Sequence, residues 1–189
     1  MSTAENFRES ALEAFGFLVK EFGFKCTQKG PQRVRYESKS VFAVVSQDPQ
    51  SYKIEFIIGR LPDTAESLNY TIVDIINSAG AAKEAGNTSF QSSDEKTARR
   101  MILELAGLVK KYAPAFLAGD DAAFKRLEDM ATREEQKKVR QYDLAMARKN
   151  AEFAWQKQNF QKVVEFLEPV KCDLLPAELK RLEYCQRMR

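Results

Sequence analysis

The stretch VFAVVSQDPQSYKIEFIIGR, residues 41–60, decides the fold of this chain. It contains two runs rich in β-branched and aromatic residues, 41–47 and 52–60, separated by the turn-forming residues DPQS. So short a connection requires the two strands to pair antiparallel, because parallel strands need a long crossover. The run 41–47 is apolar at both alternating sets of positions, which predicts a central strand buried on both faces.

Two further strands are predicted upstream, at residues 24–28 and 33–38, again with short turn-forming connections. Together the four runs predict an antiparallel meander. Residues 4–22 repeat their apolar side chains at helical spacing, and Gly23 supplies a stop. We therefore expect this first helix to cover one face of the sheet.

Beyond residue 61 the apolar period becomes helical. A helix is predicted over 64–79, capped by Asp63 and Glu66, although its first half also has strand character. A small and polar loop then covers 80–93. The predicted fold class is α+β: a helix packed on a four-stranded antiparallel meander, followed by an all-helical C-terminal half.

The predicted domains are an α+β sheet domain over 1–79, a flexible loop over 80–93, and a helical region over 94–189 that packs on the sheet domain or extends from it. The first helix of the last region is predicted to start at Ser92 and to end near Pro114.

Farther along, Asp120 starts a helix, and Thr132 with Glu135 offers a second N-terminal cap. We therefore predict a break near Thr132 and a new helix to about residue 157. A single continuous helix over 120–157 is the alternative. A final helix is predicted to begin at Pro176.

Histidine is absent from the 189 residues, which excludes Ser-His-Asp and Cys-His nucleophile pairs as well as imidazole-ligated metals. Glycines do not occur at phosphate-loop spacing. The adjacent acids Asp94-Glu95, Asp120-Asp121 and Glu134-Glu135 sit at predicted helix starts, where negative charge favours the helix dipole. We therefore expect a protein that is not an enzyme and that holds no metal and no cofactor.

Charge and cysteine content bear on partners and compartment. The net charge is +3 and no segment concentrates it, so nucleic acid is not an expected partner. No apolar run approaches the roughly 18 residues of a membrane span, and the N-terminal residues do not follow a signal-peptide pattern. The three widely spaced cysteines (Cys26, Cys172 and Cys185) suggest free thiols in a reducing compartment. These features predict a cytoplasmic protein.

Charged residues alternate with apolar ones along two strands and should project from one face of the sheet. The candidate partner-binding residues are Arg33, Arg35, Glu37, Lys53 and Glu55. Two interpretations stay open: a docking surface chosen by charge complementarity, or cross-strand ion pairing that serves solubility. Farther along the chain, Trp155 and Phe153 are predicted to be core residues.

Three motifs occur in the N-terminal region: FLVKEFGF at 17–24, VRYES at 34–38, and VFAVVSQDPQSYKIEFIIGRL at 41–61. This order resembles the N-terminal region of small uncharacterised bacterial α+β proteins of immunity type. The resemblance implies a protein that neutralises a toxin by binding it. Residues 145–177 are weakly similar to a single tetratricopeptide-type helical hairpin.

From these observations we predict a non-catalytic cytoplasmic protein-binding protein. Its most concrete form is an immunity-type inhibitor with a toxin domain as protein partner. The alternative is an adaptor or scaffold whose helical C-terminal arm binds a peptide or self-associates, so a homo-oligomer remains open. Neither nucleic acid nor a membrane is an expected partner.

Overall fold

The computed structural model, which describes residues 3–64 and 67–188, confirms the α+β fold class. Its first four strands form the predicted antiparallel meander in the order β1-β2-β3-β4. The strands are β1 Lys25–Lys29, β2 Arg33–Glu37, β3 Val41–Gln47 and β4 Lys53–Arg60. As predicted, β3 lies between two neighbours and is buried along nearly its whole length.

Two short strands that the sequence did not predict extend the sheet beyond β4. They are β5 Asn69–Thr71 and β6 Phe90–Gln91, and both pair antiparallel with β4. Tyr70 lies opposite Ile58, and Phe90 lies opposite Ile54. Strands of two or three residues are too short to show a period-2 pattern, so the strand character within 64–79 did not locate β5, and β6 was not marked at all.

The predicted first helix is two helices, α1 Thr3–Ala14 and α2 Gly16–Phe22. The chain turns at Phe15, whose φ of −97° and ψ of 9° depart from helical values. Phe15 is fully buried, and its ring stacks at 5.8 Å on Phe56 of β4. The tertiary contact of this one ring outweighs the continuous helical pattern. Gly23 ends α2 in a left-handed conformation, as predicted.

The helix predicted over 64–79 begins much later, as α3 Ile72–Ser78. Its cap is Thr71, whose hydroxyl accepts from the Asp74 N–H while the Asp74 carboxylate accepts from the Thr71 N–H. The prediction failed because residues 69–71 have strand character and complete the edge of the sheet. Glu66, half of the predicted cap, lies outside the described residues.

The segment 80–93, predicted to be a loop, contains a short helix α4, Ala82–Ala85, as well as β6. The remaining helices are α5 Glu95–Tyr112, α6 Pro114–Leu117, α7 Asp121–Gln156, α8 Phe160–Leu167 and α9 Pro176–Arg187, with a 3₁₀ helix over Glu168–Asp173. The first turn of α5 is capped by Asp94, not by Ser92. Helix α9 starts at Pro176, as predicted. No helix in the described residues is both long and apolar enough to cross a membrane.

The break predicted near Thr132 is wrong, because α7 runs continuously for 36 residues. The Asp120 side chain caps it by accepting from the N–H groups of Ala122 and Ala123. Thr132 is followed by Arg, Glu, Glu, Gln and Lys, which all favour a helix. A capping motif inside such a run permits a helix start without requiring one.

The chain divides into two compact units, Met1–Met130 and Ala131–Arg189, so the division falls within α7 and not at the predicted boundaries of 79 and 94. Helix α5 belongs to the first unit because Ile102, Leu105 and Val109 are buried in the same core as the sheet. The second unit has its own core. Its buried members are Ala151, Ala154, Val163, Val164, Leu167, Leu174, Leu182 and Cys185.

Candidate protein-binding surfaces

The predicted charged residues share the outer face of the sheet. The pairing register places Arg33 opposite Ser46, which in turn lies opposite Glu55. Arg35 and Glu37 follow along β2 at alternate positions, and Lys53 precedes Glu55 by two residues on β4. Side chains two residues apart on a strand point to the same side, so the structure brings all five to one face. Their role in binding a partner stays a prediction.

Arg35 is the most enclosed of the five, with a side chain only 14% exposed. Its Nε lies 2.7 Å from Glu37 Oε1 and its Nη1 lies 2.8 Å from Asp63 Oδ2. The guanidinium also stacks over the Phe42 ring, 4.2 Å from the centroid. Burial alone would lower the pKa of Arg35, but the hydrogen bonds to Glu37 and Asp63 outweigh it and raise that pKa.

Lys53 and Glu55 form a second ion pair on this face, at 2.5 Å. Beneath the charged side chains, Phe42 and Val44 are almost completely buried. Most of the charge on the outer face is therefore neutralised within the sheet itself and shields apolar residues from water. Arg33 and Lys53 are the members that remain exposed to solvent.

A row of large apolar side chains lies exposed along α7 in the second unit. Val139 is 54% exposed, Tyr142 66%, Met146 37% and Phe153 60%. Successive spacings of three, four and seven residues put the four side chains on one face of the helix. We call these four residues the apolar row. The prediction that Phe153 is a core residue is therefore wrong.

The opposite face of α7 explains why the apolar row points outward. Ala147, Ala151 and Ala154 are buried, and the last two belong to the core of the second unit. In that core the two alanines are grouped with Val163 and Leu167 of α8 and Leu182 of α9, so this face of α7 is the one that packs within the unit. Trp155 is partly buried and packs edge-to-face against Phe160 and Tyr184, at 5.7 and 5.8 Å.

Two ion pairs attach α9 to α7 within the second unit. Arg148 donates from Nε and Nη2 to the two carboxylate oxygens of Glu178, at 2.6 and 2.8 Å. Arg181 donates to Glu152 at 2.6 Å. A bidentate pair fixes the relative orientation of the two side chains as well as their distance. It therefore holds α9 in place against α7, on a different side from the apolar row.

An open groove of about 620 Å³ lies beside the apolar row. Val139 and Arg140 of α7 form one wall, and Pro169 and Val170 of the 3₁₀ segment form the other. The ion pair between Arg140 and Asp173, at 2.5 Å, joins the two walls. Apolar walls with a charged edge suit contact with another polypeptide better than the binding of a small polar molecule.

A more polar cleft of about 480 Å³ lies in the first unit, between α1 and the start of α5. Its charged lining includes Glu9, Glu13, Asp94 and Arg99. Arg99 donates to Glu13 at 2.9 Å. Asp94 accepts from Thr97, and these hydrogen bonds lower the pKa of Asp94. Among residues 3–64 and 67–188, no three Cys, Asp or Glu side chains are grouped so as to hold a metal ion.

Comparison of the chain with protein-family models, curated proteins and solved structures finds no match.

The apolar row is the feature that sequence reasoning missed, although a signal for it was present. Val139, Tyr142, Met146, Lys149 and Phe153 follow one another at spacings of three, four, three and four residues. Such spacing predicts an apolar stripe but leaves open whether that stripe faces the protein's own core or a separate partner. Because the alanines at 147, 151 and 154 form a competing face, only the packing of α8 and α9 resolved the question.

Proposed function

We propose that this chain is a non-catalytic protein-binding protein that acts as an adaptor through the apolar row of α7. The observation that carries the proposal is the exposure of four large apolar side chains on one helix face. Large apolar side chains grouped on a surface mark interaction sites, whereas single ones need no explanation.

The spacing of the row favours a helical partner. Side chains at i, i+3 and i+7 are the anchors with which amphipathic helices bind grooves or one another, and Val139, Tyr142 and Met146 have that spacing. Completing the burial of a side chain as large as Tyr142 or Phe153 contributes about 1–2 kcal/mol. The charged outer face of the sheet gives weaker support for partner binding, because most of its charged side chains already form ion pairs with each other.

Site-specific crosslinking tests the proposal. A photo-crosslinking amino acid at position 142 of the full chain, expressed in its native cell, should give a discrete crosslinked protein product. The matched control carries the same amino acid at position 52, where Tyr52 is also exposed but lies in the sheet domain. Equal products at both positions, or none at 142, would contradict the proposal.

An immunity-type inhibitor is the second candidate, supported by the N-terminal motifs and by the exposed Arg33 and Lys53 on the outer sheet face. Under this proposal the chain protects cells that express a toxin domain encoded beside its gene. Protection should be lost in the double variant Arg33→Glu, Lys53→Glu and kept in Tyr142→Ala. Survival that does not depend on this chain would exclude the candidate.

A further inference from the structure

The apolar row continues into the pattern of a coiled-coil seam. With Val139, Met146 and Phe153 at heptad position a, position d falls on Tyr142 and Lys149, and on Gln156 at the end of α7. Of the five seam positions over residues 139–153, four are apolar and exposed, while Lys149 can bend its ammonium out toward water. The seam over residues 139–153 is therefore available to a second helix of the same pattern.

The residues beside the seam carry charges of both signs. Heptad position g holds Lys138 and Glu152, and position e holds Asp143 and Lys157. In a parallel pair of coiled helices, each g residue faces the e residue five positions later on the other helix. Lys138 would then face Asp143 of the second copy, and Glu152 would face Lys157 of the second copy. Both of these pairs have opposite charge, and the remaining facing pair, Ala145 with Asn150, carries no charge.

Two of these side chains have no competing ion pair. Within the described part of the chain, neither Lys138 nor Asp143 forms an ion pair, and both are exposed. Glu152 already contacts Arg181 at 2.6 Å, so its contribution is smaller. Lys157 lies with its Nζ 4.1 Å from the centre of the Phe153 ring, which places its charge at the edge of the seam.

An antiparallel pair fits the charges less well. In that orientation g residues face g residues and e residues face e residues. With Tyr142 packed on Met146, Lys138 would face Glu152, but the two copies of Asp143 would face each other. Val139 would also pack against Lys149. The parallel arrangement avoids the repulsion between carboxylates.

We propose that the apolar row binds a second copy of this chain, forming a parallel two-stranded coiled coil along α7 from residue 138 to its end at Gln156. This inference rests on the proposed function, since it names the partner of the same surface. The seam covers about 15 residues, or about 22 Å of helix at 1.5 Å per residue. A short seam with a lysine at one d position gives a weak dimer, and we expect a dissociation constant of roughly 10 μM.

Sedimentation velocity of the full chain measures its association state. Protein concentrations from about 1 to about 200 μM lie on both sides of the expected dissociation constant. The wild-type chain should shift from monomer to dimer across these concentrations. The double variant Tyr142→Ala, Phe153→Ala should weaken association by at least about tenfold, because the seam loses its largest side chains. Leu103→Ala is the control, since Leu103 is 51% exposed on α5 in the first unit. Far-UV circular dichroism should be unchanged, as all three positions are on the surface.

A charge swap tests the orientation. Lys138→Glu and Asp143→Lys should each weaken the dimer about threefold to tenfold at low salt, and the double swap should restore it. Lys137→Glu makes the same charge change outside the e and g positions and should have little effect. In an antiparallel dimer the double swap would fail to restore association, because Lys138 would then pair with Glu152.

Each outcome decides between the two proposals. A chain that stays monomeric at all concentrations overturns the dimer, as does a dimer that tolerates the Tyr142→Ala, Phe153→Ala change. If the monomer nevertheless gives a specific crosslink at position 142 to a different protein, the adaptor function stands and only the identity of the partner is wrong. Two results together support both proposals: loss of the dimer in Tyr142→Ala, Phe153→Ala, and recovery of the dimer when Lys138→Glu and Asp143→Lys are combined.

Discussion

Tyr70 carries a buried hydroxyl group that makes no hydrogen bond within the described residues. The residue is 5% exposed, and its ring lies 6.3 Å from that of Phe124 in the core of the first unit. A buried polar group without a partner costs about 1–3 kcal/mol. We expect Tyr70→Phe to raise the free energy of unfolding by about 1 kcal/mol, measured by urea denaturation.

Tyr36→Phe is the matched control, because the Tyr36 hydroxyl donates to the Ala11 carbonyl at 3.5 Å. Tyr36→Phe should therefore not raise the free energy of unfolding. Burial raises the pKa of Tyr70 to about 12 from its ordinary value near 10. The folded state then holds this proton more tightly than the unfolded state, so stability falls as the pH rises from about 10 to 12. Tyr70→Phe should make that fall shallower, and an equal or steeper fall would contradict this account.

Two glycines respond to alanine in opposite directions. Gly119 precedes α7 with φ at +77°, and an added Cβ would lie 2.8 Å from the Ser40 hydroxyl oxygen. Gly119→Ala should destabilise the protein by about 1–2 kcal/mol. Gly107 lies within α5 with open space around its Cα, so Gly107→Ala should stabilise by about 0.5–1 kcal/mol. The measurement is the thermal unfolding midpoint of each variant. If both variants shifted that midpoint in the same direction, this account of Gly119 would be contradicted.

At the scale of elements, the Arg148–Glu178 pair joins α7 to the start of α9. Glu178 also accepts from the Leu175 N–H at 2.7 Å, so one carboxylate both caps α9 and holds it to its neighbour. Glu178→Gln should lower the free energy of unfolding by about 1 kcal/mol, since a charge-assisted bidentate bond is lost. Chemical denaturation followed by Trp155 fluorescence reports on this unit.

The pH dependence of that pair has a definite sign. The hydrogen bonds from Arg148 lower the pKa of Glu178 below its ordinary value. Its stabilisation is therefore present above the ordinary Glu value of about 4.3 and is lost as the pH falls through the lowered pKa. Glu183→Gln, an exposed carboxylate on the same helix, is the control and should leave the acid profile unchanged. An identical loss in both variants would argue against a specific role for Glu178.

At the scale of the whole molecule, the two units have separate cores. The core of Met1–Met130 contains the sheet, α5 and residues up to Leu127. We expect a fragment of residues 1–130 to fold by itself and to unfold in one cooperative transition, detected by circular dichroism.

A fragment of residues 1–79 provides the comparison for that prediction. It ends at the boundary suggested by the sequence and lacks Ile102, Leu105 and Val109, which are buried in the same core. It should fail to show a cooperative transition. Cooperative folding of the shorter fragment would show that α5 is dispensable and would move the domain boundary back toward residue 79.

Local patterns predicted much of the fold because each was long enough to be unambiguous. The two strands within 41–60, the helix end at Gly23 and the helix start at Pro176 are examples. Predictions failed where a tertiary contact competed with a local preference. Phe15 interrupts a helical pattern to stack on Phe56, and residues 69–71 leave a predicted helix to pair with β4.

The candidate surfaces were likewise predicted only in part from the sequence. Strand alternation predicted that Arg33, Arg35 and Glu37 share a face. It could not predict that Asp63 and Glu37 neutralise Arg35, because Asp63 is far away in the chain. In the sequence, the apolar row on α7 showed only as apolar residues at helical spacing. That spacing did not indicate which face of α7 the other helices of the unit would cover.

The sequence by itself determined the antiparallel meander, the helical C-terminal half and the absence of imidazole chemistry, since all three follow from residue type and short-range spacing. Only the tertiary structure decided that α5 completes the core of the sheet. It also decided that the alanine face of α7 is buried, which leaves Val139, Tyr142, Met146 and Phe153 exposed. The physical reason is that burial is a choice between competing faces, made by contacts among residues that are distant in the chain.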